Sequence, residues 1–196
     1  MKIIKDNRGQ GFMEVIVAIA IMLIGIVAVL ILTSYNLTAA NYGEKRLIAS
    51  NLAREALEAV RNMRDSNWLA GNSWDNDFDF DGDAVPAYFI VDFTPSETGG
   101  LYSLAEVSEI ATCGADCKLY LHTSSFNHEE EGGADSGFSR NIEVRDICTN
   151  GLDVVDQACS GQGDRVGLAV TAKVQWRANN SDIRQVVIED RLFAWR

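Results

Sequence analysis

Hydrophobic and polar positions divide the chain into three textures. Residues 15–32, VIVAIAIMLIGIVAVLIL, carry no charged or strongly polar side chain, and roughly 18 to 20 apolar residues suffice for a helix to cross the hydrocarbon core of a bilayer. Residues 33–64 hold no proline and a single glycine, Gly43; Ile48, Leu52, Ala56 and Val60 recur every four positions with Ala49, Ala53, Leu57 and Met63 beside them. That spacing lays one apolar stripe along an amphipathic helix, with Glu44, Lys45, Arg54, Glu58 and Arg61 on its solvated side. No breaker separates the two stretches. One helix is therefore predicted from about Gly11 to about Arg64, near 80 Å at ~1.5 Å per residue.

Beyond Asp65 short β-like runs alternate with clusters of Gly, Asn, Asp and Ser. Candidate strands are residues 87–93, 118–122 and 138–147. The clearest pair is 166–177 and 183–195: Val166, Leu168, Val170, Ala172, Val174 and Trp176 alternate with polar or small residues, and residues 178–182, ANNSD, supply a turn. This is the pattern of an antiparallel hairpin with one buried face. Packing that face on the helix stripe gives an α+β fold, a long N-terminal helix against an antiparallel β-sheet head. The expected organisation is a leader at 1–9, a membrane-spanning half-helix at 10–33, an amphipathic half-helix at 34–64 and a β-rich head at 65–196.

Charge changes this picture in two ways. Lys2, Lys5 and Arg8 precede the apolar run against Asp6 alone, which by the positive-inside tendency keeps the short N-terminus in the cytoplasm and the head outside. The net charge is -11, and no stripe of Lys and Arg interleaves with aromatics; a nucleic-acid backbone, which needs concentrated positive charge, is not an expected partner. A secretory signal with small residues at Thr38 and Ala40 near its cleavage point is one alternative, although the h-region exceeds the usual ~7 to 15 residues. A plain one-pass anchor is another. Neither accounts for Glu14, a carboxylate at the head of a lipid-soluble segment.

The residues Arg8-Gly9-Gln10-Gly11-Phe12-Met13-Glu14-Val15, followed by the long apolar run, resemble the class III signal of type IV pilins and pseudopilins. The resemblance implies that a prepilin peptidase removes the leader after Gly9, that Gln10 becomes a methylated N-terminus, and that Glu14 is the family's assembly glutamate at the fifth mature position. Gln10 stands where the family usually has Phe. Major subunits of that family carry a helix-breaking proline within the apolar segment, whereas this chain has only Gly25 there, which points to a minor pilin or pseudopilin. The implied partners are other pilin subunits through helix packing, the prepilin peptidase, an assembly platform and the membrane before assembly. The implied location is the cytoplasmic membrane first and a surface filament afterwards. A membrane-anchored extracellular binding module or adhesin is the rival reading.

Four cysteines, Cys113, Cys117, Cys148 and Cys159, all follow the apolar segment, as suits an oxidising compartment. Local disulfides Cys113–Cys117 and Cys148–Cys159 are expected. The alternative is a zinc site of all four thiolates, for which the paired short knuckles are missing. Asp77, Asp79, Asp81 and Asp83 before and around Gly82 match the opening of a calcium loop, but Tyr88 stands where the bidentate Glu is required. A solvated acidic loop, with Phe78 and Phe80 marking a short alternating strand, is the expectation; a calcium site completed by other carboxylates is the alternative. No other cofactor is implied. His122 and His128 lack a second His at helical spacing, and Ser124 and Ser125 beside His122 do not make a nucleophile and base by adjacency. No enzyme is expected.

Overall fold

A computed structural model describes residues 10–78, 86–93, 102–123, 125–149, 154–156, 159, 164–179 and 182–194. Helix α1 covers Gln10–Leu69. The strands are β1 (Ala87–Phe93), β2 (Tyr102–Glu106), β3 (Lys118–Leu121), β4 (Phe126–Asn127), β5 (Ala134–Thr149), β6 (Val154–Asp156), β7 (Asp164–Asn179) and β8 (Asp182–Phe193), all joined in one antiparallel sheet. By contacts the chain separates into two compact units, with the boundary between Glu44 and Lys45. The fold is α+β, as the periodicity requires.

In the second unit the apolar stripe of α1 packs on the sheet. Ala49, Ala53, Ala56 and Val60 are wholly buried, together with Leu52, Leu57, Ala59 and Met63, in one core with Phe138, Ile142 and Val144 of β5 and Leu168, Val170, Ala172, Val174 and Trp176 of β7. The packed part begins at Ile48; residues 34–47 are exposed. The helix runs past the expected Arg64 to Leu69 because its stop signal comes later. Gly71 adopts φ 77°, with Gly71 N–H donating to Trp68 O at 3.0 Å and Asn72 N–H to Asn67 O at 2.9 Å. This left-handed cap satisfies the last carbonyls, and only glycine takes it without steric cost.

β5 is the spine. One of its sides pairs with β7 from Phe138↔Trp176 through Thr149↔Asp164, and its other side serves β3, β1 and β6 in turn. β7 also pairs with β8 over nearly its whole length, which is the expected hairpin, its strands meeting at Asn179↔Asp182. The expectation of one buried face is corrected: Gly167, Ala169 and Thr171, on the far face of β7, are buried too. Ala169 lies between Arg145 and Arg191 in register, and Thr171 between Glu143 and Glu189. Arg145 pairs with Glu189 at 3.4 Å across β7, so long charged side chains roof over short ones by their aliphatic stems. At Gly167 there is no room for a side chain, since a Cβ would stand 2.6 Å from Leu192 O. Farther along the same face Tyr88 lies beneath Lys173; burial, reinforced by Glu143 and Glu109, pushes its hydroxyl above the ordinary tyrosine range.

Three strands carried no expectation. β4 and β6 are two and three residues long, too short for periodicity to register. β2 was legible in principle, since Tyr102 and Leu104 alternate with polar residues after Gly99-Gly100. Phe78 is a correction: it lies in a 3₁₀ turn, Asn76–Phe78, and is wholly buried in the helix–sheet core. Phe80 lies outside the described residues.

The core also holds a charge. Arg140 of β5 is 2% exposed, and its guanidinium donates to Val91 O at 2.8 Å, to Leu52 O at 3.4 Å and to Glu55 Oε1 at 3.2 Å. Asp92 Oδ1 stands 4.0 Å away. A second link, Arg61 to Asp190 of β8 at 2.5 Å, ties the helix to the outermost strand; hydrogen bonds to Asp190 and Glu58 raise the Arg61 guanidinium above its already high value. Removing the buried cation leaves carbonyls unpaired and a void. Arg140→Ala is therefore expected to lower head stability by about 3 to 5 kcal/mol, read as a urea midpoint on detergent-solubilised chain. A loss below about 1 kcal/mol, the size expected of an exposed pair, contradicts a buried latch.

Candidate functional site

The described part of the first unit is the exposed first half of α1. Every residue from 11 to 44 is exposed: Phe12 is 71% exposed, Ile24 71% and Leu32 60%. A fully buried Val, Leu or Ile gains about 1.5 to 3 kcal/mol over an exposed one, so a segment of this length demands lipid or other helices around it. The segment is long and apolar enough to cross a membrane, and none of its apolar window is buried within the chain. Gly25 does not interrupt the helix. Thr33 donates to Val29 O at 2.9 Å and Thr38 to Ser34 O at 3.1 Å, so the hydroxyls that follow the apolar run find partners without water.

Glu14 is the sole charge between residues 10 and 43. It is exposed and makes no ion pair among the described residues. Gln10 is the first helical residue, four positions and about one turn earlier; Gly9 and the rest of the expected leader lie outside the described residues. Comparison of the chain with protein-family models, curated proteins and solved structures finds no match. What the segment offers chemically is then read from its own residues: an apolar cylinder that buries only against other apolar surface, with one carboxylate near its start that needs a cation once water is excluded.

The head carries the remaining candidates. Cys113 is bonded to Cys117 and Cys148 to Cys159, with Cα atoms 5.8 and 5.6 Å apart, and none of the described cysteines is free. The first pair packs with Ile110, Ile90 and Val107 in a small second core. The second closes the β5–β6 hairpin, whose register runs Ile147↔Asp156 to Thr149↔Val154. With all four thiols consumed, the zinc alternative is removed.

Of the calcium candidates, Asp79, Asp81 and Asp83 lie outside the described residues. Asp77 sits in the 3₁₀ turn and accepts from Asn67 Nδ2 at 3.0 Å. Next to it Arg165 of β7 bridges Asp75 at 3.2 Å, Phe78 O at 3.3 Å and Asp146 at 3.0 Å, an anchor that sequence spacing does not reveal because its members lie far apart in the chain. Among the described residues no three His, Cys, Asp or Glu side chains group as metal ligands.

Both histidines hold turns. His122 Nε2 donates to Glu129 O at 3.0 Å, and the His128 side chain is 4% exposed, with Nδ1 at 2.6 Å from Asp92 and Nε2 at 3.2 Å from Arg140 O. Among the described residues neither ring meets a serine hydroxyl. Closing a loop across an 11-residue separation is worth about 2 to 3 kcal/mol. Replacing Cys148 and Cys159 together by Ser should therefore lower the unfolding free energy of the solubilised chain by that amount, read as a lower urea midpoint at unchanged m-value, while the helical circular-dichroism signal persists. An unchanged midpoint assigns the bridge no stabilising part.

Proposed function

We propose that this chain is a structural subunit of a type IV pilus or related pseudopilus, of the minor-subunit kind. It is held in the cytoplasmic membrane by residues 10–33 with its head outside, cut after Gly9 by a prepilin peptidase and methylated at Gln10. An assembly platform then draws it out into a filament whose core is made of these helices. The observation behind the reading is the apolar stretch of α1: residues 11–43 are all exposed, Glu14 is their one charge, and the same helix continues in sequence into the part that seats the head. The motif Gly9-Gln10-Gly11-Phe12-Met13-Glu14 supplies the processing point. Two disulfides in the head suit an oxidising exterior.

Glu14 has a chemical role in this scheme. Cleavage creates an α-amine at Gln10, and in a core of packed helices the amine of one subunit meets the Glu14 carboxylate of a neighbour. Each neutralises a charge that would otherwise be stranded in a medium of low dielectric constant, and the pair sets the axial step between subunits. Stranding one partner costs about 3 kcal/mol or more, a hundredfold or more in an equilibrium. Glu14→Leu is expected to leave membrane insertion and cleavage intact, because the apolar run only lengthens and Gly9 is untouched. Recovery in sheared surface fibres should fall by that factor, with processed protein retained in the membrane. Wild-type recovery of the Leu variant contradicts the assembly role.

A further inference from the structure

One end of the sheet carries a polar groove with two cations. Lys118 of β3, Ser139 of β5, Gln175 of β7 and Gln185 of β8 are direct register neighbours across four strands, and Arg177 lies opposite Ile183 one pleat farther along β7 and β8. The alternate residues Leu119, Phe138 and Trp176 are in the core, so this row occupies the face turned away from α1. Lys118, Asp135, Ser139, Gln175, Arg177 and Ile183 line the groove. Ile183 is 62% exposed. Among the described residues Lys118 pairs with Asp135 alone, at 3.7 Å, and the exposed Arg177 guanidinium makes no ion pair. At the end of the same strand Lys45 of α1 donates to the Arg177 carbonyl at 3.5 Å.

A complementary feature stands at the same end of the sheet. Glu129, Glu130 and Glu131, separated from β5 by Gly132 and Gly133, are exposed, and their carboxylates have no ion pair among the described residues. The turn that presents them is pinned. His122 holds the Glu129 carbonyl, Gly133 N–H donates to Glu130 O at 3.2 Å, and a Cβ on Gly133 would stand 2.7 Å from both His122 Nε2 and Tyr120 Cβ. A chain of net charge -11 repels its own copies, so cations whose side chains reach solvent, such as Lys118 and Arg177, bear directly on how copies meet.

Resting on the filament reading above, we propose that the Lys118–Arg177 groove of one copy receives the Glu129–Glu131 turn of the next. Two different surfaces meet, so the contact is heterologous and repeats along an open array without turning any copy round. A filament of subunits that all point one way requires that property, and a self-complementary patch lacks it. Both surfaces lie at the same end of the sheet, which suits neighbours set side by side around an axis.

The test is charge reversal in the full chain, expressed in the cells that make it and scored by recovery in sheared fibres. Processing, membrane amount and formation of both disulfides are measured on the same samples to show that the heads fold. Lys118→Glu with Arg177→Glu, and separately Glu129→Lys with Glu131→Lys, should each lower fibre recovery by about tenfold or more, since like charges facing each other cost several kcal/mol. The four substitutions together should restore most of it. Wild-type recovery of both reversed pairs, or a combined variant no better than its parents, overturns the contact. Wild-type protein absent from fibres overturns the filament reading instead, and the contact with it.

Discussion

The head depends on the burial of one stripe of α1. Ala49, Leu52, Ala53, Ala56, Leu57 and Val60 recur at three- and four-residue intervals and fill one side of the core, while β5 and β7 fill the other. Neither side is stable alone: a solvated helix of this composition is marginal, and a sheet with Ile142, Val144, Val170 and Val174 in water would aggregate. Into this contact the chain places Arg140, with partners on both the helix and β1. A buried cation is a poor source of stability but a strong source of register. Its donors match Leu52 O, Glu55 and Val91 O together, so a helix shifted by one turn would leave them unmet.

The same helix obeys a different rule before residue 45. There residues 11–44 are all exposed, and among the described residues none of the apolar stretch is buried. One element thus serves two media. Within the second unit polar contact is spent inwardly on carbonyls and on cross-strand ion pairs. Between residues 10 and 43 Glu14 is the one charge. In the second unit, the Cys148–Cys159 disulfide and the Arg165 anchor close the β5–β6 hairpin and the 3₁₀ turn.

Much of this was legible from spacing. The period of four in residues 48–60 and the period of two in residues 166–176 report burial directly, because each face of a regular element meets one environment. Both local disulfides followed from short separations. What stayed hidden depends on residues distant in the chain: Arg140 with Leu52 and Val91, Arg165 with Asp75 and Asp146, and Asp92 with His128. No local pattern marks them, since each residue taken alone reads as a surface charge. Phe78 misled for a related reason; an aromatic between aspartates alternates like a strand, yet a single buried ring at the end of a 3₁₀ turn satisfies the same letters. The far face of β7 is buried beyond what alternation predicts, because Arg145 and Glu189 pair across the strand over Ala169 and Thr171.

The central claim is that the exposed apolar helix belongs to a processed, filament-forming subunit, and it turns on the mature N-terminus. Intact-mass and N-terminal peptide analysis of the chain isolated from its own cells tests it most directly. The account predicts a chain beginning at Gln10 with a methyl group on its α-amine. A chain that keeps Met1 is a plain anchor, one that begins near Asn41 has lost the helix as a secretory signal, and either result contradicts the account.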